Sequence, residues 1–406
     1  VLLEALPLVF ALIGLALYVV LAGADFGAGI WQALAGGGEE GERRRDIAHA
    51  AMAPVWEANH VWLIFVLTVM WTAYPVALAS IASTLAAALL IAGVGIIVRG
   101  AAYALRSAAT TPSEQRRIDT AFSAASVLAP FALGAAIGGI ASGRVPVGNA
   151  AGDLISSWVN ATSILTGALA VVFSAYLGAV YLCADSVRRF ESEQTEWFRT
   201  RALAAGVVAG ALAIAGLAVL HEDGHRVYHG LVAGDGVPAL VVSVLAGTGT
   251  LALVAARRYE PARYSAALAV TAIIAGWALA QQPQILPGLT VSEAAASHAT
   301  LVAVVIAVVA GALILFPSLA LLFRLTLGGR LGEHGGAAHE EASTTRDVLA
   351  ASAPRIGLRA AGASLLVGIA GTNVIEAGWA RPIGVAGLLA FVLLGFVAMR
   401  PDLDTG

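Results

Sequence analysis

The sequence predicts an all-α, polytopic membrane helix bundle, and three observations carry the prediction. Hydrophobic residues make up 59% of the 406-residue chain and charged residues 12%, against roughly 25% charge in an ordinary soluble domain. Mean hydropathy is +0.84. The apolar residues gather into eleven runs, each about twenty residues long, which is what a helix needs to cross a bilayer core of about 30 Å. Such runs far exceed the roughly ten-residue alternating segments of a membrane β-barrel, and a helix satisfies its own backbone hydrogen bonds in lipid. A soluble globular enzyme is excluded. A net charge of −3, with all 23 cations being Arg and no basic stripe, gives no nucleic-acid partner. The one cysteine, Cys183, leaves no internal disulfide and no cysteine cluster for zinc or iron and sulfur.

Hydropathy places the spans in order at 5–31, 52–74, 76–105, 121–141, 154–183, 202–220, 238–256, 264–280 and 299–323, followed by two more at 356–371 and 383–399. The first opens on acidic Glu4, where a signal peptide would be basic, so it is expected to be retained. Trp31, Trp71, Tyr74, Trp158, Trp197 and Trp379 lie near span ends and fit interface anchors. Loops after the odd-numbered spans hold Arg43, Arg44, Arg45, Arg116, Arg117, Arg188, Arg189, Arg257, Arg258 and Arg330, whereas the other side holds Arg144, Arg226 and Arg381. The positive-inside rule therefore puts the N-terminus outside and the C-terminus in the cytoplasm. Three regions follow: a nine-helix body over 1–327, a cytoplasmic linker over 328–354 rich in Gly, Ala, His and Glu, and a C-terminal helical hairpin over 355–406.

An ionisable side chain inside a span costs about 2.5–3.5 kcal/mol on insertion scales, so those that are kept are candidates for function. Asp25, Glu57 and Arg99 stand out. Counted at 1.5 Å per residue from the cytoplasmic ends of the first three spans, all three lie roughly 8–9 Å deep. Short connections make these helices neighbours, so the groups are expected to form one polar cluster. An Arg there would lower a carboxylate pKa and burial would raise it, which leaves the protonation state open. Two uses stay open as well, a salt-bridged helix clamp or proton conduction. His60 lies three residues beyond Glu57, on the same helix face and one turn deeper, where a relay would continue.

Several stretches carry a family resemblance. Gly23-Ala24-Asp25-Phe26-Gly27, then Trp56-Glu57-Ala58-Asn59-His60-Val61-Trp62, Tyr74-Pro75 and Arg99-Gly100-Ala101-Ala102-Tyr103 resemble subunit II of the cytochrome bd-type quinol oxidases. So do Pro130, Gly143-Arg144-Val145-Pro146, Gly288-Leu289-Thr290 and His298-Ala299-Thr300-Leu301, over about residues 5–325. The resemblance implies two four-helix bundles plus a peripheral helix in a bacterial plasma membrane. It implies a haem-free second subunit that stabilises a haem-bearing subunit I. Haem b and haem d (or a further haem b) sit in that partner, which oxidises quinol and reduces oxygen to water. It also implies a cytoplasmic proton path in which the acid matching Glu57 takes part; joined to the cluster above, that path is expected to pass Asp25, Glu57, His60 and Arg99, with Trp56 and Asn59 expected near the partner's haems or a structural quinone. No metal is ligated by this chain itself. A small single-pass accessory subunit, quinol and membrane lipid complete the expected partners.

Two features depart from the family. The position five residues after Arg99, an acid in many relatives, is Ala104, and the tail beyond Thr344 is longer than usual. A proton-coupled secondary transporter is the alternative reading, because an acid, Arg and His cluster within a membrane also suits coupling. His221-Glu222-Asp223-Gly224-His225 satisfies the zinc-protease pattern H-E-x-x-H. Asp223-Gly224 is, however, a turn signal, and the chemistry needs one continuous helix.

Overall fold

The computed structural model describes residues 2–52, 56–106, 109, 111–189, 191–327 and 364. The expected linker over 328–354 and hairpin over 355–406, Ser364 apart, lie outside the described residues. Residues Val1–Gly311 pack as one compact unit. Of the second unit, Ala312–Gly406, the described residues are the last part of one helix and Ser364.

Among the described residues, eight helices are long and apolar enough to cross a membrane, and a shorter apolar segment, Asn59–Ala73, accompanies them. The first bundle is built from α1 (Leu2–Ala33), α3 (Trp56–Ala73), α5 (Ala86–Arg106) and α6 (Pro112–Ala141), with α1 packed on α3 and α6, and α5 on α6. The second comprises α7 (Ala161–Arg188), α8 (Ser192–Asp223), α10 (Val237–Ala255) and α11 (Tyr259–Gln281). Its contacts run α7 to α8, α8 to α10, α10 to α11 and α11 back to α7. The bundles join where α7 packs on α1 and α6. Up to Gly311, α13 (His298–Leu327) keeps to the periphery, with Ile306 and Val309 exposed.

The α1–α7 junction is close because small residues face each other there. A Cβ on Gly27 would overlap the Ser174 carbonyl, and one on Gly178 would meet the Gly27 backbone. Small residues allow this kind of approach between membrane helices, where packing rather than hydrophobicity drives association. Trp31, expected at the lipid interface, is instead buried at this junction: its indole Nε1 donates to the Ala175 carbonyl at 2.7 Å. A Trp buried among helices needs such an acceptor.

Two of the runs, and the connections between spans, differ from the hydropathy reading. The run 76–105 is split by Leu85 into α4 (Pro75–Thr84) and α5. The run 154–183 is helical only from Ala161, because two side chains take the backbone donors before it. Asp153 Oδ1 accepts from the N–H groups of Ser156 and Ile155 at 2.6 and 2.9 Å, which also holds its carboxyl below the usual range. Asn160 then caps α7 by accepting from Ser163 N. Two helices fall in expected loops: α2 (Gly38–Met52) and α9 (His225–Ala233). Polar α2 is tied to the start of α8, where Arg44 Nε donates to buried Gln194 Oε1 at 3.0 Å.

At the other end of the chain, a small hairpin of β1 (Gln284–Leu286) and β2 (Leu289–Thr290) leads into α12 (Val291–Ala294). Leu286 and Leu289 pack with Tyr74, Leu85, Val145 and Leu301. Tyr74 also enters the backbone ladder of α1: its hydroxyl donates to the Glu4 carbonyl at 2.5 Å and accepts from Leu8 N at 3.0 Å.

Candidate functional site

Asp25 and Arg99 meet inside the first bundle. Arg99 Nη1 donates to Asp25 Oδ2 at 2.5 Å and Nη2 to Oδ1 at 2.8 Å, a bidentate pair. Nη2 also donates to the Asp25 carbonyl at 2.9 Å, and Nε to Ser126 Oγ at 3.0 Å. Ser126 presents a lone pair because its own hydroxyl donates to the Phe122 carbonyl, four residues back on α6. The guanidinium carbon lies 5.1 Å from the Phe26 ring centre and 4.5 Å from that of Phe122. The side chains of Arg99 and Asp25 are 1% and 2% exposed. A charge so deep in protein is held only where a partner and hydrogen bonds replace water, and these contacts engage all three guanidinium nitrogens.

The local sequence explains why the two groups are at one level. Asp25 lies eight residues before the end of α1 and Arg99 seven before the end of α5. Both helices end on the same arginine-rich side, so equal counts give equal depth.

Next to the pair, Tyr18, Ala22 and Phe26 of α1 pack with Ala129 of α6 and against Trp62 and Leu63 of α3. His60 makes an edge contact with Tyr18, ring centres 6.4 Å apart. Two polar groups of this region are orphaned: Tyr18 Oη, and both the Oδ1 and Nδ2 of Asn59, which is fully buried. An orphaned buried polar atom costs about 1–3 kcal/mol. Glu57 belongs to α3 (Trp56–Ala73), the helix that also carries Asn59 and His60. The side chains of Trp56 and Glu57 lie outside the described residues.

Sequence reasoning missed Ser126, Tyr18 and the Phe26–Phe122 cage. Serine, tyrosine and phenylalanine are ordinary in apolar helices, so composition flags none of them. A seven-residue spacing was the available signal: Gln32, Arg106 and Asp119 stand seven residues from Asp25, Arg99 and Ser126.

The H-E-x-x-H stretch does not form a zinc-protease site. Gly224 separates α8 from α9, so His221 and His225 sit on different helices. Asp223 is held by Arg144 at 2.5 and 2.8 Å and by the Thr162 hydroxyl at 2.5 Å. Among the described residues no group of three or more His, Cys, Asp or Glu side chains could hold a metal ion.

Comparison with solved structures finds the bd oxidase of Geobacillus thermodenitrificans, with a TM-score of 0.61 and 22% sequence identity. The match covers 80% of this chain and 99% of that one, and at this identity it shows the helical fold. No curated protein matches. The family model described as cytochrome bd terminal oxidase subunit II matches residues 3–326, the whole of the two-bundle body. This multi-pass bacterial membrane chain belongs to the cytochrome bd terminal oxidase subunit II family.

Proposed function

We propose that this chain is the haem-free second subunit of a quinol:oxygen oxidoreductase, in which it stabilises subunit I and brings it protons from the cytoplasm. Family membership makes it part of a haem-containing terminal quinol oxidase complex with a partner subunit I. The net reaction oxidises two quinols to two quinones and reduces one oxygen molecule to two waters. Electrons pass through the partner's haem b and haem d (or b), and the four protons for water come from the cytoplasm.

One observation carries the proton-path part of this reading. The sealed Asp25–Arg99 pair lies within electrostatic reach of Tyr18, whose hydroxyl is orphaned and whose ring meets His60 of α3. Both Asp25 oxygens are engaged by the guanidinium. Asp25 and Arg99 therefore act as a fixed, neutral pair that clamps α1 to α5 and sets the local potential. Proton transfer falls to Glu57 and His60, three residues apart on one face of α3. Asn59 and Tyr18 would hold water beside them.

Affinity purification on this chain, from mild detergent, tests the assembly. The expected product carries a haem-bearing partner, a reduced-minus-oxidised haem spectrum and quinol-driven oxygen consumption. A colourless chain with no partner and no such activity would overturn the reading.

A further inference from the structure

The buried layer of Asp25, Arg99 and Ser126 has a counterpart two helical turns away, on the same three helices. Gln32 on α1, Arg106 on α5 and Asp119 on α6 are each seven residues, roughly 10 Å, nearer the arginine-rich end. Arg106 Nε donates to Asp119 Oδ1 at 2.9 Å, and Gln32 Nε2 donates to the same oxygen at 3.2 Å. The two layers differ in access to water. Arg106 and Asp119 are 25% and 23% exposed, whereas the Arg99–Asp25 pair is sealed. Gln32 itself is buried, and its Oε1 has no hydrogen-bond partner. A carboxylate touched by water is thus joined to a buried, orphaned acceptor on the helix that carries Asp25.

The surroundings suit proton collection. His49 of α2 stacks on Tyr103 of α5, ring centres 5.0 Å apart, and both line the recess in which Asp119 and Arg106 meet. Burial, then the charge of Arg106, hold the His49 pKa below its ordinary value against the opposing pull of Asp119 and Asp46. His49 is therefore mostly neutral at pH 7 and adds no second cation beside Arg106. The charged and titratable groups facing Asp119 are Arg106 and Tyr103 from α5 and His49, with Asp46 behind it, from α2. From α1 it meets neutral Gln32.

We propose that Asp119 collects protons for the path, with Arg106 and Gln32 as positioning residues; this rests on the oxidase reading above. The carboxylate takes a proton from hydronium at its exposed edge, leaving water. It passes that proton to water held at Gln32 Oε1 and returns to its charged form, and no electron moves. A purely structural Asp119 would only tie α6 to α1 and α5.

The test uses the purified complex and compares Asp119→Asn, Asp119→Glu and Gln32→Met with wild type, with Glu57→Gln in parallel. Asparagine keeps an acceptor for Arg106 and Gln32 but carries no proton. Quinol-driven oxygen consumption by Asp119→Asn should fall about fivefold or more, a part of the ~10²-fold that a proton-transfer group supplies at a reacting centre. The loss should grow as pH rises and protons become scarce, with haem spectrum and Tm unchanged. Added formate and the Asp119→Glu change should each restore most of it, and Gln32→Met should reproduce the pH-dependent slowing. A wild-type rate and pH profile in Asp119→Asn alongside a slow Glu57→Gln overturns this proposal alone. Wild-type behaviour in both overturns the proton path as well. A slow Asp119→Asn with lost haem, unrescued by formate or by Glu, assigns the residue to structure and also overturns the proposal.

Discussion

Arg99→Ala is expected to cost the assembled complex about 3–5 kcal/mol, the penalty for leaving one member of a buried ion pair without its partner. The guanidinium donates two hydrogen bonds to the Asp25 carboxylate, one to the Asp25 carbonyl and one to Ser126 Oγ. Their loss strands the carboxylate among Phe26, Phe122 and the α1–α6 contact. Asp25→Ala strands the guanidinium in the same way. The double change Asp25→Leu with Arg99→Met removes both charges and fills similar volume, and such replacements are often neutral or stabilising. In detergent melts each single variant should lose roughly 10 °C in Tm, at a few degrees per kcal/mol, and the double should recover most of that. The non-additivity is the signature of a direct pair. Single variants that melt like wild type would contradict the clamp. The double variant should also separate the two roles of the pair, since a complex that is stable yet slow has kept the clamp's packing and lost its field.

The second large effect is expected at Glu57. Glu57→Gln keeps the shape of the side chain and removes its proton, so the haem spectrum should be that of wild type while turnover falls at least tenfold. That is below the ~10²–10⁴-fold given up when a group in direct contact with the reacting atoms is lost, because water can substitute in part along a path. Glu57→Asp, which retains a carboxylate one methylene shorter, should recover a good fraction. Unchanged turnover with native haem content would remove Glu57 from the path.

Much of the fold was legible because a lipid environment restricts the choices: long apolar runs can only be helices there, and all nine runs of the body contain helix. What stayed hidden was decided by single polar contacts. The run 154–183 averages as apolar, yet Asp153 just before it and Asn160 within it hold its first residues out of the helix by capping. The break at Leu85 follows Ser83 and Thr84, two small polar residues that a hydropathy average over the run absorbs. Polar α2 and amphipathic α9 were hidden because hydropathy registers only apolar runs.

The candidate site was legible to the same degree. Asp25 and Arg99 announced themselves as charges in apolar helices at matched depths, and 2.5 Å separates their nearest atoms. Trp31 misled because a Trp at a span end fits an interface anchor as well as it fits a buried donor to Ala175. Gln32, Arg106 and Asp119 were passed over because they fall at or beyond the expected span ends, where polar residues are ordinary. Only their common offset of seven residues from Asp25, Arg99 and Ser126 sets them apart.

On the proposed reading Glu57 and His60 of α3, beside the fixed Asp25–Arg99 pair, carry protons from the arginine-rich side towards the partner's oxygen site. Time-resolved charge displacement in proteoliposomes tests it most directly, with the reduced complex mixed with oxygen and wild type compared with Glu57→Gln of native haem content. The account predicts that the electrogenic phase of proton uptake is slowed or lost in Glu57→Gln while electron transfer among the haems keeps its rate. An electrogenic phase of wild-type rate and amplitude in that variant would contradict it.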